Sequence, residues 1–269
     1  MSQTDIRTRS TDVLTADWSS FTYRPPAAAH GAARIIIKPN LGYPVGPPVT
    51  VSDTVLAAVL AGCRAVAPNA ELVVLEGVCS KSSFAEIARL RLLLRICDDR
   101  TVLRDADALP LRSYAHRGSG VVARFGALQA PALLDEADCR ISVGACKRTM
   151  LGGVPLFSGA LKNLFGLFPR AVYHARSPHA RGQLHQPSVP QVLQDVWWTV
   201  GHLFDGAVVD AGRVYRHDDW HPDRVRGVSR ELGRVFVSDD LVSADLAAAA
   251  AADEPEPSYL AAINAARGW

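Results

Sequence analysis

The chain has no C-x-x-C pair: its five cysteines, Cys63, Cys79, Cys97, Cys139 and Cys146, are scattered and odd in number. That spacing argues against an iron–sulfur or zinc site and reads as reduced, mostly buried thiols of a cytoplasmic protein. No apolar run approaches the length of a membrane span. The longest candidate, 243–252, is Ala-rich, interrupted by Asp245 and followed by acidic residues and prolines. The segment 1–18 is polar without an apolar core, so no signal peptide is expected. A net charge of +2 comes with no basic block or stripe, which argues against nucleic acid as a partner. G-x-G-x-x-G, a Walker-type loop, a nucleophile elbow and H-E-x-x-H are all missing, leaving nucleotide binding and serine hydrolysis without support. Neither an internal repeat nor a low-complexity linker divides the chain.

What is present is the composition of a globular α/β protein, 48% hydrophobic and 21% charged over 269 residues. Residues 1–32, rich in Ser, Thr, Pro and Ala, read as a partly ordered arm, and 33–269 as a single α/β domain. RIIIK at 34–38 is a continuous apolar run, the pattern of a strand buried on both faces of a parallel sheet. Ser52 or Asp53 caps a helix to about Ala67, 72–75 is a second buried strand ending in Glu76, and 84–96 reads as another helix. This alternation predicts a mostly parallel central sheet with helices on both faces. Further strands are expected in TVLRDADALPL and GVVARFG around an exposed loop at 114–120, then at 139–143, 207–210 and 234–237. Helices are expected at 131–137, 190–204, from Leu241, and in 255–269. Residues 170–190 read as a long loop, and 214–230, with Trp220, as irregular.

The stretch 139–169 concentrates the unusual features. An apolar strand runs into a basic turn at Lys147 and Arg148, then a Gly-Gly pair, then a helix bearing Lys162 and Asn163 beside Phe165 and Phe168. Polar residues close four expected strands: Lys38 with Asn40, Glu76, Lys147, and Asp210. In an open parallel sheet these converge on the ligand-binding edge; each taken alone is also an ordinary loop residue. Lys147 and Lys162 suit a carboxylate or phosphate, or act as bases if one lowers the other's pKa, against the alternative of plain surface lysines. Ser158 before the helix offers an anion site or simply a cap. His174, His179 and His185 share one loop at spacings that fit no common metal motif, so no metal site is expected; His174, nearest the lysine helix, is the favoured acid/base partner.

IIIKPNL at 35–41, VVLEG at 73–77, LLDEADCRISVGACK at 133–147, SGALKNLFGLFP at 158–169 with the following His174, and SDDLVSADLAAA at 238–249 resemble the family called domain of unknown function 362. The resemblance covers about 34–265, with the S-x-x-x-K-N-L-F-G-L block its most specific part. It implies an α/β fold and no single chemistry. Many members carry a Cys-rich ferredoxin segment, which this chain lacks, and many read K-T-H where it has Lys147-Arg148-Thr149, so Thr149 replaces the histidine. A fainter similarity to nickel-pincer lactate racemases implies Lys162 as cofactor anchor or base and His174 as ligand or acid/base partner. The missing histidine argues against intact nickel chemistry, and no bound cofactor is expected, neither a nickel-pincer group nor an iron–sulfur cluster.

Together these features point to a biosynthetic enzyme acting on a small anionic metabolite by isomerisation, elimination or cyclisation. Lys162 and Lys147 serve as base and anion clamp, His174 or Glu76 as partner, and Lys38, Asn40, Ser158, Asn163 and Asp210 as substrate-binding groups. The alternative is a non-catalytic accessory subunit that stabilises an enzyme partner through Trp197, Trp198 and the loop at Trp220. A protein partner or homodimer fits either reading, and no membrane association is expected.

Overall fold

The computed structural model describes residues 10–151, 154–217 and 227–268. Its organising strand is β2 (Arg34–Pro39), which lies between β3 (Glu71–Glu76) and β7 (Cys139–Leu151), parallel to both. Ile35 and Ile37 point into one core with Val55, Leu56 and Val59 of α1 (Asp53–Val66), while Ile36 points into the other. A strand covered on both faces needs no polar alternation, which is why it reads as an unbroken apolar run. β4 (Thr101–Asp105) extends the parallel set beyond β3, and β9 (Gly206–His217) extends it beyond β7. β10 (Val228–Ser238) and β1 (Leu14–Asp17) close that side antiparallel, giving the order β1-β10-β9-β7-β2-β3-β4. The mostly parallel sheet with helices on both faces is therefore present, and the segment read as an arm supplies its edge strand.

Several local expectations are corrected. Lys147 and Arg148 are not a turn: β7 runs through them to Leu151 and pairs antiparallel with β8 (Val154–Ser158), Lys147 opposite Ser158. Hydrogen-bonding neighbours on both sides, β8 and β9, outweigh the local charge. The helix expected to 96 stops early as α2 (Phe84–Leu90), because Leu92 takes a left-handed conformation, φ 53°. The leucines that follow have no buried stripe to join; Leu94 is 73% exposed. Residues 120–126 form no strand. There the Arg124 and Phe125 N–H groups donate to buried Asp195 of α5 (Val189–Thr199), 3.0 and 2.9 Å away. The hairpin is instead β5 (Leu111–Ala115) with β6 (Ala127–Pro131), and Tyr114, expected in an exposed loop, is buried with its hydroxyl donating to the Pro131 carbonyl. The loop at 170–190 contains α4 (Arg170–Tyr173) and a single 3-10 turn, Gly182–His185. Trp197 and Trp198 are buried in α5, packed edge to face at 4.7 Å, rather than displayed to a partner. Trp220 lies outside the described residues.

The helix α3 (Ala160–Asn163) is too short to hold itself in place. Its first N–H groups, on Ala160 and Leu161, donate to the Asp245 carboxylate at 2.6 and 3.0 Å. Asp245 belongs to α6 (Leu241–Ala251), itself packed by α7 (Ser258–Arg267). Two orphan donors and a buried carboxylate thus satisfy one another. Burial nonetheless pushes the Asp245 carboxyl up to about 7. An unfolded carboxyl titrates near ~4, so between the two values the folded chain holds a proton the unfolded chain has lost. Stability from this group falls as pH rises through that window. Asp245→Asn has no such titration, and in urea melts its stability deficit against wild type should narrow by about 2–3 kcal/mol from pH 5 to pH 8. A deficit independent of pH would contradict this account.

Candidate functional site

The carboxyl ends of β2, β3 and β7 meet beneath α3. Lys38, fully buried at the end of β2, places Nζ 2.6 Å from Glu76 Oε1 at the end of β3. Neither charge is solvated, and both are further held: Lys38 Nζ donates to the Pro39 carbonyl at 2.9 Å and to Asn163 Oδ1 at 3.0 Å. Glu76 accepts the N–H groups of Leu41, 2.6 Å, and Gly77, 2.9 Å. Burial lowers the Lys38 pKa, and the Glu76 carboxylate opposes that shift. Asn163 uses both ends of its carboxamide, its amide donating to the Lys38 carbonyl at 2.6 Å and Ser142 Oγ at 3.0 Å. Gly166 must be glycine here, since a Cβ would sit 2.3 Å from Glu76 Oε1 and 2.8 Å from Lys38 Nζ. The K-N-L-F-G part of the sequence block is therefore the cover of the ion pair.

Beside the pair lies a cavity of about 100 Å³, lined among others by Asn40, Glu76, Cys79, Lys147, Lys162 and His185. Lys147 is buried and among the described residues has no ion-paired carboxylate; its Nζ donates to Asn40 Oδ1 at 3.0 Å and the Val49 carbonyl at 2.7 Å. Burial, and then the Lys162 ammonium, bring its pKa down to about 7. The Lys162 pKa is also lowered by burial, with Cys79 opposing. Among the described residues Lys162 has no hydrogen-bond acceptor, and its Nζ stands 5.2 Å over the Phe165 ring. His185 Nδ1 lies 3.1 Å from the Arg181 carbonyl, which can only accept, so Nδ1 carries the proton and Nε2 the lone pair. Burial and then Lys162 hold its pKa down at about 4, so the ring is neutral at pH 7.

Of the residues expected at the site, Lys38, Asn40, Glu76, Lys147, Ser158, Lys162 and Asn163 are brought together, Lys38 behind the cavity wall and the others on its lining. Two are not. His174 ends α4, is exposed, and has its ring Nδ1 3.1 Å from the Ala175 carbonyl; the turn of α4 carries it away from the lysines. Asp210 is buried elsewhere, accepting from Trp18 Nε1 at 2.9 Å and the Ser52 N–H at 2.8 Å, in a separate cleft at the N-terminus of α1. His185 takes the position expected of His174, and Thr149 lines the cavity. Cys79 and the buried Arg181 that donates to it were legible only as a scattered thiol and a loop cation.

The family model described as domain of unknown function (DUF362) matches residues 35–250. No curated protein matches the chain by sequence. Among solved structures, the lactate racemase apoprotein from Thermoanaerobacterium thermosaccharolyticum is 18% identical, with a TM-score of 0.44, over 76% of this chain and 47% of that one. The chain thus spans about half the length of that protein, and a likeness at this level says nothing of its chemistry. Around Lys162 the donors suited to a transition metal are one imidazole, His185, and one thiol, Cys79. Among the described residues no three His, Cys, Asp or Glu side chains are grouped to hold a metal. No described helix is long and apolar enough to cross a membrane.

The ion pair sets a stability test. Lys38→Met leaves the Glu76 charge buried without its counter-ion and should cost about 3–5 kcal/mol in urea denaturation. Adding Glu76→Gln removes that charge while keeping an acceptor for the Leu41 and Gly77 N–H groups, and should recover most of the loss. No recovery would mean that the pair is not held by charge.

Proposed function

This chain belongs to the DUF362 family, and from its own site we propose that it is an enzyme that moves a proton at a carbon of a small anionic metabolite, as in isomerisation or elimination. The observation behind this reading is the Lys147 amine, brought down to about 7 in a cavity it shares with a second lysine. A base works best when its pKa lies near the working pH. As a neutral amine Lys147 has two N–H donors, and both have acceptors, Asn40 and the Val49 carbonyl. The remaining tetrahedral position is a lone pair. Lys162, without an acceptor of its own, supplies the charge for the substrate's carboxylate or phosphate. His185 adds a neutral acceptor at Nε2 for a substrate hydroxyl or N–H. A volume of about 100 Å³, well below the ~300 Å³ at which ordinary ligand pockets begin, suits a small acid or the acidic end of a larger molecule.

The reading is tested without a known substrate by trace acetylation of lysines as a function of pH, followed by peptide mass spectrometry. Only the neutral amine reacts, so Lys147 labelling should rise with pH around a midpoint near 7. Lys162→Gln removes the neighbouring charge and should move that midpoint upward by about one pH unit. Phosphate or a small carboxylate should protect both lysines. A wild-type midpoint in the ordinary lysine range would overturn the assignment.

A further inference from the structure

We propose that Cys79 is a second reactive group of this cavity, a thiol nucleophile that adds reversibly to small α,β-unsaturated carboxylates; the proposal rests on the reading of the cavity as an anion site. Cys79 lies three residues past Glu76, lines the cavity, and is only partly buried. Its backbone is pinned, the N–H donating to the Gly42 carbonyl at 2.8 Å. Arg181, 2% exposed, donates from Nη1 to Cys79 Sγ at 3.1 Å and to the Val78 carbonyl at 2.9 Å, and from Nε to the Phe168 carbonyl. Gly77 makes that reach possible, because a Cβ there would sit 2.5 Å from Arg181 Nη2 and 2.2 Å from the Gly166 carbonyl. The sulfur also lies within electrostatic range of Lys38, Lys147 and Lys162. One guanidinium and three lysine amines thus act on one thiol that is partly exposed.

The other cysteines lack this setting. Burial pushes the Cys63 and Cys146 thiols up to about 12, and Cys139 is wholly buried. Cys97 is partly buried like Cys79, but burial and the Asp98 carboxylate push its thiol up. Sulfur attacks as the thiolate, so attack here needs a base within the same cavity.

In the step proposed, the neutral Lys147 amine takes the Cys79 S–H proton. The sulfur pair then forms a bond to the β carbon, with the substrate carboxylate on Lys162. The π pair moves to the α carbon, which regains the proton from the Lys147 ammonium. In reverse, Lys147 removes an α proton, the double bond reforms and the C–S pair returns to sulfur. Rotation about the Cα–Cβ single bond in the adduct converts one geometric isomer into the other. No oxidant, reductant or co-reactant enters.

The test uses the full chain with acrylate and with neutral acrylamide, read by peptide mass spectrometry. Acrylate should modify Cys79 at least ~10-fold faster than Cys97, and Lys162→Gln should lower that ratio by ~10-fold more than it lowers the ratio for acrylamide, which reports the change in the thiol and its base alone. Cys79→Ser should remove the adduct from that peptide while the Lys147 acetylation midpoint still reports a folded cavity. If Cys79 reacts no faster than Cys97 while Lys147 still titrates near 7, the thiol proposal is overturned and the base reading stands. If Cys79 reacts selectively but Lys162→Gln lowers the acrylate ratio no more than the acrylamide ratio, the carboxylate site fails, and the substrate class proposed here fails with it.

Discussion

Lys38 at the end of β2, Lys147 within β7 and Lys162 on α3 are brought together in this fold, and among the described residues the carboxylate at their cavity is Glu76. Removing an ion from water costs several kcal/mol even after the protein relaxes around it. Lys38 offsets this with an ion pair at 2.6 Å and two further acceptors. Lys147 has two acceptors but no ion pair, and Lys162 has neither among the described residues. Their charges are relieved by losing a proton or by gaining an anion, which is what a site for anionic substrates and proton transfer requires. The same shortage that disfavours the charged lysines makes the cavity chemically useful.

The scaffold accepts the cost because its geometry is fixed from two directions. The strands bring Lys38, Glu76 and Lys147 to one edge through parallel pairing of β2 with β3 and β7. α3 is then fastened over them at both ends, by Asp245 at its N–H groups and by Asn163 at the strand carbonyls. Asn163 fits this task in a way Asp could not, because it must donate to the Lys38 carbonyl and Ser142 while accepting from Lys38 Nζ. Each group that closes the cover also satisfies a buried donor or acceptor of the layer below.

The sheet and most of the site were legible because they follow from short-range rules. RIIIK can only be a strand covered on both faces, and polar residues just past such strands fall at the ligand edge of a parallel sheet. The rule failed for Asp210 because β9 lies beyond β7 from β2 and runs on to His217, so that Asp210 sits within the strand, against the N-terminus of α1. His174 was chosen for nearness in sequence to Lys162, but one turn of α4 reverses its direction, and the chain returns eleven residues later with His185. Arg181 was unreadable for a related reason: its partners Val78, Cys79, Asp107 and Phe168 come from three separate segments. Pattern rules see an element's own periodicity, and they do not see which distant loop folds back over it.

The two lysines of the cavity also differ enough to separate their roles. Lys162 lies over the face of Phe165, an arrangement that favours an ammonium and offers a neutral amine nothing comparable. Lys147 lies between two oxygen acceptors that a neutral amine satisfies as fully as its two N–H groups allow, and the Lys162 charge adds to the cost of protonating it. Environments that push two like groups apart in pKa are how one site holds an acid and a base at the same pH. Sequence order suggested Lys162 as the base. In the function proposed here the roles are reversed, with Lys162 as the anion clamp and Lys147 as the base, whose neutral form the Lys162 charge favours.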